Sequence, residues 1–153
     1  MQKYYKALVI DDDPNQALPL QISLQETMAL EDIDGRVDAV SKPQEILACA
    51  GSAREEDIIV VDYRLFDDFG YLQTEVPENF PYDNGEELAK DLLDRGFAGH
   101  IVILSGDGAF IEKKRHGGFL GIGANKDPRL TYLLKGELDI PEQITAIMRQ
   151  AGA

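Results

Sequence analysis

Four short apolar runs, each ending on a polar residue, constrain this chain more than any other feature. Ala7-Leu8-Val9-Ile10 leads into Asp11-Asp12-Asp13, and Ile58-Ile59-Val60-Val61 leads into Asp62. Ile101-Val102-Ile103-Leu104 ends at Ser105, and Tyr132-Leu133-Leu134 ends at Lys135. Runs of this length, rich in Val and Ile, match strands of a parallel sheet covered on both faces. In an open parallel sheet, ligands bind outside the carboxyl ends of the strands. The four strand ends therefore bring carboxylates, a hydroxyl and an ammonium to one crevice.

The 153 residues suit one domain with a sizeable core, and 44% hydrophobic residues is an ordinary globular composition. No apolar stretch approaches the roughly 20 residues that span a bilayer. The opening Met1-Gln2-Lys3-Tyr4-Tyr5-Lys6 has no apolar signal region. A cytoplasmic protein without a membrane partner is expected. The single Cys49 allows no internal disulfide and reads as a small core residue. Fifteen basic against 28 acidic residues give a net charge of -13. That balance argues against a nucleic-acid partner, whose phosphates need cations, and is compatible with a metal ion and with protein partners.

A strand is expected over residues 5–10, then a helix over 14–29 with Leu18, Ile22 and Met28 near one face. Pro14 suits the first turn, while Pro19 lies deeper and is expected to bend or delay the helix. Arg36 to Val40 reads as a short strand, with Ser41 as N-cap of a helix through Ala50. Residues 57–61 form a central strand. Asp83-Asn84-Gly85 then leads into a helix, Glu86 to Asp94, closed by Gly96. Strands follow at 100–104 and 130–134, and a last helix runs from Ile140 to Gln150 with Pro141 and Glu142 in its first turn. Five strands with intervening helices make a doubly wound α/β sheet, and no repeat or second domain interrupts 1–153. Two segments exceed a minimal layout and read as inserted loops: acidic, aromatic 66–82, and glycine-rich, basic 113–129.

Asp11, Asp12 and Asp62 at adjacent strand ends repel one another unless a cation neutralises them. A hard, oxygen-only site with few carboxylates suits Mg²⁺, with Mn²⁺ as a possible substitute. A carboxylate beside such an ion can attack phosphorus to give an aspartyl phosphate. Ser105 is then a hydrogen-bond donor to one phosphoryl oxygen, and Lys135 an ionic partner for another.

Taken together, these residues resemble the receiver domain of two-component response regulators over nearly the whole chain. The carrying motifs are Val9-Ile10-Asp11-Asp12-Asp13-Pro14, Ile58-Ile59-Val60-Val61-Asp62, Ser105, Lys135 with Tyr132 three residues before it, and Asn84-Gly85. The resemblance implies a five-stranded, flavodoxin-like parallel sheet of order 2-1-3-4-5. It implies Asp62 as phosphoacceptor, Ser105 and Lys135 as its assistants, and Ser105 with Tyr132 as the switch pair. It further implies Mg²⁺ held by Asp12, Asp62 and the Arg64 backbone carbonyl, with Asp11 acting through water. The implied phosphodonor is a histidine kinase or histidine phosphotransfer protein. The signal would leave by contact with a downstream protein, with homodimerisation on phosphorylation possible and no output domain in the chain. Arg64, two residues past the acceptor, stands where the family tunes phosphoryl lifetime. The long segment from Arg64 to Asp83 departs from the family pattern, and so does Gly136, which stands where a cis proline usually follows the lysine.

Plainer roles exist for several residues. Asp13 reads as a helix-start carboxylate, His100 as structural, and His116 as exposed and inert. Tyr132 also suits core packing with its hydroxyl at the surface. Two other functions remain open. One is a pseudo-receiver that is never phosphorylated. The other is a phosphatase of the haloacid-dehalogenase type, built on Asp11-Asp12-Asp13.

Overall fold

The β-branched runs become five strands: β1 (Tyr5–Ile10), β2 (Gly35–Val40), β3 (Ile58–Asp62), β4 (His100–Ser105) and β5 (Leu130–Leu134). A computed structural model describes residues 3–51, 54–65, 80–116 and 127–151. Segments 66–79 and 117–126, which hold most of the two expected insertions, lie outside the described residues. The strands pair in parallel in the order β2-β1-β3-β4-β5, the order implied above.

Alternation along each strand splits the core in two. Leu8, Ile10, Ile59, Val61, Ile101 and Ile103 face one side, and Ala7, Val9, Ile58, Val60, Val102 and Leu104 face the other. Helices α2 (Pro43–Gly51), α3 (Gly85–Asp94) and α4 (Gly108–His116) cover the first side through Ile46, Leu88, Leu92 and Ile111. Helices α1 (Pro14–Leu30) and α5 (Ile140–Ala151) cover the second through Leu24, Met28, Ile144 and Met148. Each fully buried Leu, Ile or Met contributes about 1.5–3 kcal/mol relative to exposure. Because β3 is buried along its entire length, Asp62 leaves the sheet from its most enclosed strand.

Register fixes the heights of the strand ends. Ile10 pairs with Val61, so Asp11 and Asp62 are level. Asp62 pairs with Leu104 and Ser105 with Leu134, so Ser105 and then Lys135 each stand one residue farther out.

Several local expectations change. Helix α1 runs unbroken through Pro19, and it buries Ala17, Leu24 and Met28 while leaving Leu18 and Ile22 about half exposed. The buried stripe is therefore 17, 24 and 28, not 18, 22 and 28. Ser41 is not the side-chain cap of α2. Helix α2 begins at Pro43, and Glu45 Oε1 reaches back from its first turn to accept the Lys42 N–H at 3.1 Å and the Ser41 N–H at 3.4 Å, just ahead of the helix. The expected loop 113–129 begins inside a helix, since Lys113 to His116 is the last turn of α4. Asp107 starts that helix by accepting the Ala109 and Phe110 N–H groups at 3.0 and 3.2 Å. Its weakly amphipathic, glycine-flanked sequence hides it from a periodicity reading.

Candidate functional site at the carboxyl edge of the sheet

Asp11 and Asp62 sit side by side past β1 and within the end of β3, each only 6% exposed. Asp12 is half-buried beside them, and oxygens of the three carboxylates lie within 4.8 Å of one another. Asp11 Oδ1 accepts the Asp13 N–H at 2.9 Å, and Asp13 in turn caps α1 by accepting the Asn15 N–H at 2.9 Å. The helix-start role expected of Asp13 is what the structure has. Lys135 lies just past β5, its N–H donating to the Ser105 carbonyl at 2.8 Å. Its Nζ lies 2.6 Å from Asp62 Oδ1 and 2.7 Å from Gln16 Oε1. Gly136 follows with φ of 89°, a left-handed turn that suits glycine. Ser105 is buried, and its Oγ accepts the Asp107 N–H at 3.1 Å, which leaves its own proton available to a ligand.

The electrostatics describe a site short of positive charge. Burial, followed by the Asp62 charge, pushes Asp11 up to about 7 against the pull of the Asp13 N–H and Lys135. Burial pushes Asp62 up to about 6, opposed first by Lys135 and lastly by Arg64. Arg64 is exposed two residues past Asp62, and its positive charge favours the ionised form of that carboxyl. Oxygen-only donors, two of them buried carboxylates, fit a hard divalent cation such as Mg²⁺ and fit thiophilic metals poorly.

Gly85 lets the end of β3 close on α3. Its N–H donates to the Tyr63 carbonyl at 2.7 Å, and a Cβ there would lie 2.1 Å from the Asp62 carbonyl oxygen. Asn84 caps the helix by accepting the Glu87 N–H at 2.9 Å. The Asn84-Gly85 pair thus has a packing reason in this chain.

Tyr132 is 3% exposed and already points inward, so its hydroxyl is not at the surface. The hydroxyl donates to Glu86 Oε2 at 2.7 Å, and Lys114 Nζ reaches the same oxygen at 2.9 Å. Burial and the Glu86 carboxylate hold the tyrosine proton on well beyond its ordinary range. Burial alone would raise Glu86, but the Tyr132 hydroxyl and the Lys114 and Lys90 ammoniums outweigh it and hold Glu86 below 4.5. Phe110 stands edge-on to Tyr132 at 5.9 Å and lies 4.3 Å from the ring of Tyr63, the residue next to Asp62.

Gln16, Glu86, Lys114 and Phe110 escaped the sequence reading. Gln16 carried a signal, since Asp13-x-x-Gln16 is a capping-box spacing. Its amide instead reaches Lys135, with Nε2 at only 3.5 Å from Asp13 Oδ2. The others had no signal, because their partners are distant in sequence. Cys49 is buried with its thiol pushed up by burial, in keeping with a structural role. His100 is half-buried, 2.7 Å from Thr131 Oγ1, and burial lowers its pKa. His116 ends α4. A concavity of about 410 Å³ lies at the opposite, amino edge of the sheet, where Lys3 pairs with Asp57 at 2.9 Å. It is far from the converging acids.

No family model and no curated protein sequence matches the chain. Solved structures do match in fold. A response regulator receiver protein from Sinorhizobium medicae WSM419 aligns with a TM-score of 0.63 and 20% identity, over 99% of this chain and 97% of that one. A structure described as adenylate cyclase from Rhodopirellula baltica aligns at 0.58 and 19% identity, over 97% and 90%. A chain from the complex of the CheA3 P1 domain with CheY6 of R. sphaeroides aligns at 0.52 and 17% identity, over 97% and 96%. The fold is thus the flavodoxin-like receiver fold.

Proposed function

We propose that the chain is a two-component receiver domain that accepts a phosphoryl group on Asp62. One observation carries this reading: three carboxylates converge within 4.8 Å while the Lys135 ammonium stands 2.6 Å from Asp62. In the proposed reaction a carboxylate oxygen of Asp62 attacks the phosphorus of a phosphohistidine. The phosphorus–nitrogen bond breaks, and its electron pair returns to the imidazole. Lys135 shifts from Asp62 to a phosphoryl oxygen, and the free Ser105 proton serves another. Asp12, Asp62 and the Arg64 carbonyl would hold Mg²⁺ or Mn²⁺, with Asp11 acting through water. When bound, the ion supplies charge neutralisation on the phosphoryl oxygens.

The new charge at Asp62 draws in Ser105 and alters the surface around α4 and β5. Because Tyr132 is already buried, the switch in this chain works by loosening or tightening its Glu86 contact, not by carrying the ring inward from solvent. The phosphodonor is a histidine kinase or a histidine phosphotransfer protein. Output is contact with a downstream protein, with homodimerisation as one form of it, and catalysis is confined to phosphotransfer and self-hydrolysis. No described helix is long and apolar enough to cross a membrane. A cytoplasmic location follows from the reading.

The test is intact-protein mass after incubation with acetyl phosphate and Mg²⁺. A base-labile phosphate adduct, lost with EDTA and absent from Asp62→Asn, is expected. An adduct that persists in Asp62→Asn but vanishes in Asp11→Asn would point to the phosphatase chemistry. Absence of both adduct and beryllofluoride binding would make the chain a pseudo-receiver.

A further inference from the structure

We propose that Gln16 is a positioning residue for Lys135, an inference that rests on the phosphoryl-acceptor reading above. Lys135 stands beyond the end of β5, and the next residue, Gly136, turns away at φ of 89°. Glycine imposes little on its neighbours, so the backbone fixes the base of the lysine but not its long, flexible stem. The ammonium is fixed by two acceptors, Asp62 Oδ1 at 2.6 Å and Gln16 Oε1 at 2.7 Å. An ammonium has donors only, so the amide oxygen of Gln16 must face it.

The two acceptors differ in kind. Asp62 is the nucleophile, and a lysine held by it alone would lie on the carboxylate that must attack phosphorus. Gln16 is neutral, so it holds the ammonium at the rim without adding negative charge to an already crowded acidic cluster. When Asp62 carries the phosphoryl group as an acyl phosphate, Lys135 keeps its Gln16 bond and turns its other protons to that group. Gln16 is itself held in the first turn of α1, whose cap Asp13 donates its own N–H to Asp11 Oδ1 at 2.9 Å. One helix start therefore orders both the acidic and the cationic side of the site.

The experiment compares Gln16→Met, which keeps the length but loses the strong acceptor, with wild type and with Lys135→Met. Phosphorylation by acetyl phosphate should slow about tenfold in Gln16→Met, as for loss of one charge-assisted hydrogen bond. The melting temperature should not move, and Gln16→Met should add nothing in the Lys135→Met background. A second readout needs no phosphoryl group: the ζ-ammonium resonance of ¹⁵N-labelled Lys135, identified by its loss in Lys135→Met. It should be slow to exchange in wild type and averaged with solvent in Gln16→Met. An unchanged rate and an unchanged resonance would overturn the proposal, as would an equal slowing in the Lys135→Met background. A wild type that accepts no phosphoryl group would end the receiver reading, and the resonance would still decide whether Gln16 holds Lys135.

Discussion

Tyr132 donates its hydroxyl to Glu86 Oε2 at 2.7 Å, joining β5 to α3, and Lys114 brings α4 to the same oxygen at 2.9 Å. One carboxylate thus ties together three elements around the end of the sheet. Tyr132→Phe deletes a donor to a charged, largely buried group and should cost about 1–2 kcal/mol. The Glu86 carboxyl is held below its ordinary 4.5, so its contribution is complete above that value and is lost as pH falls through the lowered one. The penalty of Tyr132→Phe should therefore be full at neutral pH and shrink on acidification. Urea denaturation of both proteins across that range checks it, and a constant penalty would sever the link to Glu86.

Gly85 gives a sharper structural test. A methyl group there would meet the Asp62 carbonyl oxygen at 2.1 Å, and backbone cannot yield as a side chain can. Gly85→Ala should destabilise by about 1–3 kcal/mol and move Asp62 with it, so the proposed phosphorylation should fall as well. Gly51 in α2 is the control, since a Cβ added there would have nothing within 4 Å. Gly51→Ala should be neutral or stabilising by up to about 1 kcal/mol. Equal denaturation midpoints for the two variants would refute the close approach.

The strands and their polar ends were legible because burial on both faces leaves continuous apolar runs, and the level of Asp11 with Asp62 followed from parallel pairing. What stayed hidden depends on contacts between distant positions. Glu86 and Tyr132 are 46 residues apart, and Gln16 and Lys135 are 119 apart. No local pattern carries such pairs. Helix α1 misled for a different reason: Leu18 and Ile22 mimic a buried stripe, but the sheet face selects Ala17, Leu24 and Met28. Helix α4 was missed because its start rests on one Asp107 side chain instead of a strong hydrophobic period.

The crowded acids predict a metal-dependent stability. Asp11→Asn removes one acid from a crowded trio, two of whose carboxyls are buried, so without divalent metal the variant should be more stable than wild type by roughly 1–2 kcal/mol. Adding Mg²⁺ should stabilise wild type, by about 1.4 kcal/mol at tenfold over its Kd, and should do less for the variant. Thermal melts in EDTA and in Mg²⁺ read both effects. A wild type indifferent to Mg²⁺ would count against the metal site.

Lys135 sets up a competition that yields the last prediction. Its ammonium and a divalent cation both draw on Asp62, and at 2.6 Å the lysine already occupies one acceptor oxygen. Lys135→Met frees that oxygen and removes a positive charge a few ångströms from the acids. A like charge at that range opposes a dication by on the order of 1 kcal/mol even under strong screening. Mg²⁺ should therefore bind Lys135→Met several-fold more tightly, as isothermal titration would show. The same variant should take up phosphoryl groups more slowly, because the partner for the transferred group is gone. Tighter metal binding with slower phosphorylation separates the two duties of the site: the acids gather the cation, and the lysine serves the phosphoryl group. If Lys135→Met loses both together, the lysine is instead holding the carboxylates in place.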